Sequence, residues 1–394
     1  MPSANSARAG TADRLMQTAP SGPQKRDETL ERPAQRRGVP AGRPYIDYSK
    51  LIARRNTFSL RKGRMKTLSR FACVVALLSL MPVLDLASAV DVPDRKAPTP
   101  KEALPDGDFK IGPQYTNAPE LTAKDGVPKG MLLEFTMDSK DSKIYPGLKG
   151  AYKRKVSVYI PSQYVTGTPA PFIVSQDGMT RDILPRILDN MINDRRLPPM
   201  VAIFITSGGG DGKGSERGLE YDTVSEDYAV FIETEVLPRI EKDYKVSFTK
   251  DPDGRATMGG SSGGAAAFTM AWFRPDLYHR VLTYSGTYVD QQSPMNLKSP
   301  HGAWEYHENL IPKSDPKPLR VWMEVGDKDI GYNRDEKSLH NWVLANQRMA
   351  AVLKDKKYHY RYVFAEGAGH VDGKVVKHTL PEALLWLWQG YPIK

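Results

Sequence analysis

From Tyr152 onward two hydrophobic patterns alternate along the chain, and their order predicts an architecture. YKRKVSVYIP (152–161) alternates apolar and polar residues, the period of a half-buried strand. PFIVSQ (171–176) and MVAIFIT (200–206) are short apolar runs ended by glycine-rich turns, which predicts strands buried on both faces. RATMGG (255–260), HRVLTYSG (279–286), PLRVWMEVG (318–326) and YHYRYVFAEG (358–367) repeat that form, each ending at glycine. Between them, residues 222–244 place Tyr228, Phe231, Ile232, Val236 and Ile240 at helical spacing. Further helices are expected over 180–193, 262–273, 337–354 and 381–389. Such alternation predicts an α/β fold, a mostly parallel central sheet with helices on both faces. Its chemistry belongs in the loops at the carboxyl ends of the strands.

The chain of 394 residues carries a net charge of +10, which by itself would suggest a nucleic-acid or anionic-membrane partner. The charge is not spread evenly. Residues 1–64 hold 14 Lys/Arg and 5 Asp/Glu, a net of +9, which leaves +1 for the rest. A nucleic-acid partner is therefore not expected. Met65 opens MKTLSRFACVVALLSLMPVLDLASAV, a basic start, an apolar stretch and an Ala-Ser-Ala site, the layout of a secretory signal peptide cleaved after Ala89. Pro82 and Asp85 interrupt the apolar run before it reaches the roughly 20 residues of a membrane span. The expected organisation is a basic leader or early start over 1–64, a signal peptide over 65–89, an irregular lead-in over 90–130 and one catalytic domain over 131–394. The expected location is the periplasm or the outside of the cell, with no membrane span after cleavage. Cleavage would also remove Cys73, the one cysteine, and with it any disulfide or thiolate chemistry.

The segment ATMGGSSGGAAAF (256–268) lies where a strand gives way to an alanine-rich helix, and both Ser261 and Ser262 stand at the centre of a G-x-S-x-G pattern. A serine hydroxyl needs a base to take its proton, and the base needs a carboxylate to orient it. In serine, acid, histidine order the acid is expected in Gly326-Asp327-Lys328-Asp329, with Asp329 preferred to Asp327 because its extra residues let the chain turn back. Of seven histidines, only His370 follows the last strand directly in a glycine-rich loop. His279, His340, His359 and His378 read as surface or packing residues, while His301 and His307 are expected in a loop that borders the cleft.

Gly259-Gly260-Ser261-Ser262-Gly263-Gly264, Gly326-Asp327-Lys328-Asp329, Gly369-His370 and the closing LPEAL (380–384) together resemble the putative esterase family of α/β-hydrolases, which includes esterase D and enterochelin-esterase-like proteins. Arg217 with Glu220-Tyr221-Asp222, and Gln176-Asp177-Gly178, add to the likeness, which covers about 131–394. The resemblance implies the α/β-hydrolase fold and a cofactor-free esterase. It also implies that Ser261 is the nucleophile, because only Ser261 has the two glycines at the family's distance. Ser262 then supplies an oxyanion N–H, with the second from Met179 or, next to it, Gly178.

Two other stretches carry less. SGGGDGKGS (207–215) lacks the glycine and the hydroxyl residue that a phosphate loop requires, and reads as a flexible loop beside the cleft. DPDGR (251–255) is too short for a calcium loop, and no metal site is expected. Arg217, Glu220 and Tyr221 are weighed two ways: Arg217 pairing with Glu220 while Asp222 caps the next helix, or all three touching substrate with Tyr221 as a flat surface. Trp386 and Trp388 read as core. The expected function is an exported serine esterase acting on a small-molecule or carbohydrate ester, an acylated sugar or a phenolic ester. Its rivals are an acyltransferase with the same triad and a non-catalytic carbohydrate-binding protein on this scaffold.

Overall fold

The computed structural model describes residues 103–393. The expected basic leader and signal peptide, with the lead-in as far as residue 102, lie outside the described residues. None of the described helices is long and apolar enough to cross a membrane.

Nine strands form one sheet: β1 (Gly107–Ile111), β2 (Met131–Asp138), β3 (Lys153–Ile160), β5 (Phe172–Gln176), β6 (Val201–Ile205), β8 (Arg255–Gly260), β9 (Arg280–Tyr284), β10 (Arg320–Gly326) and β11 (His359–Ala365). Their order is β1-β11-β10-β9-β8-β5-β6-β3-β2, and the short strands β4 (Pro169–Ala170) and β7 (Ser247–Phe248) pair separately. All main-sheet pairings are parallel except those of β3, which runs antiparallel to both β2 and β6. The apolar runs fit this plan: β5, β6, β8 and β9 are buried at every position.

Helices cover both faces. On one side α1 (Leu184–Asn193) and α7 (Gly373–Leu387) pack through Ile187, Leu188, Leu380 and Leu384. On the other lie α2 (Glu216–Tyr221), α3 (Asp227–Phe231), α4 (Leu237–Tyr244), α5 (Ser262–Phe273) and α6 (Trp342–Asp355). Helix α5 is buried along eleven of its residues, from Ser262 to Trp272, so its sequence shows no apolar stripe: an enclosed helix has no solvent face to mark.

Three elements differ from the sequence expectation. The lead-in contributes β1, whose five residues are too few to stand out by period, and which joins the sheet edge beside β11. The stripe over 222–244 is broken by a π-helical turn, Ile232–Val236, just before Pro238, whose missing N–H cannot continue the ladder. Helix α7 begins at Gly373, not at Pro381. Pro381 sits inside it and cannot bond the Lys377 carbonyl; the N–H of Ala118, from the lead-in, takes that carbonyl at 3.0 Å.

Candidate active site

The turn from β8 into α5 explains its glycines. Ser261 has φ 57° and ψ −130°, a left-handed conformation that strains any residue with a Cβ and lifts the side chain out of the strand path. A Cβ on Gly259 would lie 2.3 Å from the Gly263 backbone, so strand and helix can pass this closely only without side chains. Gly259→Ala is accordingly expected to cost at least about 2 kcal/mol in a denaturant melt, the range for forced overpacking.

The two serines diverge here. Ser261 is partly accessible, and its Oγ lies 3.3 Å from the Thr287 hydroxyl. Ser262 is fully buried; its Oγ accepts a 3.3 Å bond from Gln291. Ser262 also heads α5, where a helical N–H has no acceptor within its own helix.

Loops from three neighbouring strand ends converge on the elbow. A Cβ on Gly260 would meet Met179 Sδ at 2.6 Å and Val371 Cγ1 at 2.9 Å, so the β5 loop and the residue after His370 both press on the residue before Ser261. His370 Nδ1 lies 2.6 Å from Asp329 Oδ1, whose side chain is fully buried. Asp327 does not make this contact; its N–H bonds the Ala365 carbonyl. Val371 (φ 45°) donates its N–H to Ser285 Oγ at 2.9 Å, pinning the His370 loop to the end of β9. Gly326 is needed because the Ala368 carbonyl would stand 2.4 Å from a Cβ there.

In the β5 loop, Asp177 (φ 57°) and Gly178 (φ 65°) form a tight turn, and the Met179 N–H reaches the Gln176 carbonyl at 3.4 Å, long for a hydrogen bond. Arg217 holds this turn through Asp177 Oδ2 at 2.8 and 3.0 Å and ties it to Asp211 at 2.9 Å. Asp177 is thus a turn residue with a fixed ionic partner.

Several expectations change. Arg217 pairs with Asp177 and Asp211, not with Glu220. Glu220 is buried and grips Arg154 through two 2.8 Å bonds, while also accepting from Tyr152 (2.6 Å) and the Gly208 N–H (3.0 Å). Tyr221 is 1% exposed, set edge-on to Tyr228, and offers substrate no face. Asp222 ends α2 instead of starting the next helix. His307 is buried against Trp304 and bonds the Tyr288 carbonyl, and burial pushes its imidazole down to about 3, so it does not line the cleft.

Two residues that the sequence reading passed over stand beside the triad candidates. The Trp342 Nε1–H donates to Thr287 Oγ1 at 3.2 Å, and its ring meets that of His370 edge-on, 6.1 Å between centroids. Neither residue lies in a recognisable motif. Behind Asp329, Glu324 is fully buried; burial and the charge of Asp329 push its carboxyl well up, favouring its neutral form.

Among the described residues, the group able to gather metal ligands is His301, Glu305 and Glu308, whose ligand atoms lie within 4.8 Å of one another. His301 and Glu308 are exposed, and the three pair among themselves. Surface depressions of about 380 and 360 Å³ lie elsewhere, beside Arg280 and Arg320 at the amino ends of the strands and beside α1.

The strand order, the lone antiparallel β3 and the serine on a strained turn after β8 define an α/β-hydrolase fold. Residues 151–387 match the family model described as "Putative esterase", and the chain belongs to that family. Among solved structures, the enterobactin esterase of Shigella flexneri in the presence of enterobactin is 23% identical with a TM-score of 0.50, over 66% of this chain and 60% of that one. The ferric enterobactin esterase of Salmonella typhimurium is 20% identical with a TM-score of 0.51, over 66% and 59%. The chain thus matches about 60% of the length of these relatives. No match was found among curated proteins.

Proposed function

We propose that the chain is a serine esterase that hydrolyses a carboxylic ester through an acyl-enzyme. The observation that carries this is the 2.6 Å pairing of His370 Nδ1 with buried Asp329, in a loop pressed against the strained turn that presents Ser261. With Nδ1 engaged by Asp329, Nε2 is left as the base nitrogen. Ser261 Oγ attacks the acyl carbon while His370 Nε2 takes its proton. The negative oxygen of the tetrahedral intermediate is held by the N–H of Ser262 and that of Met179 or Gly178. Collapse expels the alcohol, which takes the proton from His370; water then attacks the acyl carbon as His370 takes its proton, and collapse returns that proton to Ser261 Oγ and releases the acid. Without substrate the Ser261 hydroxyl pairs with Thr287, and its hydrogen bond to His370 Nε2 forms when substrate binds, since catalytic hydrogen bonds often tighten only then.

The acyl group belongs to an acylated sugar or a phenolic ester. Partly exposed Ile330 and Tyr332, just after Asp329, offer apolar and aromatic surface beside the triad acid. The family relationship supports the reaction class, and the solved structures it resembles are enterobactin esterases. Export through the 65–89 segment belongs to the same reading. Release of p-nitrophenol from acetyl and butyryl esters by the full chain tests it. Turnover that falls about 10⁴-fold in Asp329→Asn, the size of losing the orienting acid, is the expected result. No turnover by folded wild type, and no labelling of Ser261 by a fluorophosphonate, would overturn it. Product analysis with an added alcohol separates hydrolysis from acyl transfer.

A further inference from the structure

Beneath the oxyanion side of the elbow lies a polar cluster that the mechanism above leaves unused. Asp222, at the end of α2, is 2% exposed, and its Oδ1 is buried without a hydrogen-bond partner. Gln291, in the loop after β9, donates from Nε2 to Asp222 Oδ2 at 3.2 Å and to Ser262 Oγ at 3.3 Å. The same loop is held in place on the outside by an ion pair, Lys213 to Asp290 at 3.3 Å. One amide therefore ties three separate segments together at the first residue of α5, whose N–H faces the developing oxyanion.

We infer that Asp222 and Gln291 are positioning residues for the oxyanion hole: Gln291 fixes Ser262 against Asp222, and the charge state of Asp222 sets how well the Ser262 N–H stabilises a negative oxygen. This rests on the esterase reading above. The charge matters because the Gln291 amide couples the Asp222 carboxyl to the Ser262 side chain, whose hydroxyl also interacts with that carboxyl. A second negative charge beside the first residue of α5, in a buried site, opposes oxyanion formation. Protonated Asp222 imposes no such cost.

The groups facing Asp222 from each packed segment set its ionisation. Burial pushes the carboxyl up, to about 7. The Ser262 hydroxyl on α5, the Gln291 amide on the β9 loop and the Arg217 guanidinium on α2 hold it down; Asp211 in the 207–215 loop pushes it up. Ionisation thus falls in the working range of a serine esterase, so kcat declines on the alkaline side as Asp222 loses its proton. Removing the Gln291 amide takes away a group that favours the charged form, which moves the decline to higher pH.

The experiment is kcat and KM against pH for the full chain on p-nitrophenyl butyrate, with Asp222→Asn and Gln291→Met beside wild type. Expected in wild type is a fall in kcat of about tenfold from pH ~7 to pH ~9 with little change in KM, the size of a unit charge brought near the reacting oxygen. Asp222→Asn keeps the shape and hydrogen bonds without the charge, and should flatten that fall. Gln291→Met, close in volume, should shift it upward by about half a unit or more and lower kcat, again with little change in KM. If Asp222→Asn fails to fold, Gln291→Met still decides. Variant profiles that superimpose on wild type overturn this inference and leave the esterase reading standing. Wild type without turnover overturns both.

Discussion

Replacing Ser261 by alanine is expected to lower ester turnover by about 10⁶-fold, down to what binding and the oxyanion donors supply alone, while Ser262→Ala stays within about tenfold of wild type. The contrast follows from conformation, since the residues are neighbours of the same type. Ser261 sits at φ 57° with its hydroxyl partly accessible, whereas the Ser262 hydroxyl is buried under Gln291. In the proposed mechanism the Ser262 contribution comes from its backbone, which alanine retains. Titration of active sites with a fluorophosphonate, run beside the p-nitrophenol assay, separates a lost nucleophile from a lost fold. Labelling that persists in Ser261→Ala and vanishes in Ser262→Ala would reverse the assignment.

The largest effect on stability is expected from Glu220→Ala, about 3–5 kcal/mol in denaturant unfolding, the cost of leaving a buried charge alone. Arg154 and Glu220 are 2% and 0% exposed at their side chains and joined by two bonds. Without the carboxylate, the Arg154 guanidinium keeps the Thr206 carbonyl at 3.1 Å and the Phe231 ring at 4.6 Å but no counter-charge. The Gly208 N–H, in the glycine-rich 207–215 loop, also loses its acceptor. Turnover should fall with temperature sooner than in wild type. A change below about 1 kcal/mol would mean that the pair is replaced by water, as at exposed sites.

The pair also shows why part of the site was not legible from the residues in order. Arg217 and Glu220 are three apart on one helix, a spacing that suggests a local pair. Their real partners, Asp177 and Arg154, are 40 and 66 positions away, brought in by β5 and β3. For Tyr221 the sequence leaves a binding surface and a structural role open alike; its burial against Tyr228 decides for the second. Thr287 and Trp342 carry no motif, and their place beside Ser261 and His370 follows from β9 and α6 meeting at one end of the sheet.

Local order was enough wherever a physical rule acts over a few residues. Alternation and unbroken apolar runs mark β3, β5, β6 and β8 to β11, because side-chain period and burial are properties of the strand itself. The glycines about Ser261 mark a close strand–helix passage, because Cβ atoms would collide there. The succession of serine, acid and histidine at strand ends follows from the parallel order of the sheet. What folding alone decides is every relation that crosses the sheet: β1 beside β11, Arg154 against Glu220, and Asp222 joined to Ser262 by Gln291. These depend on distances between segments up to hundreds of residues apart, and no short-range pattern encodes such distances.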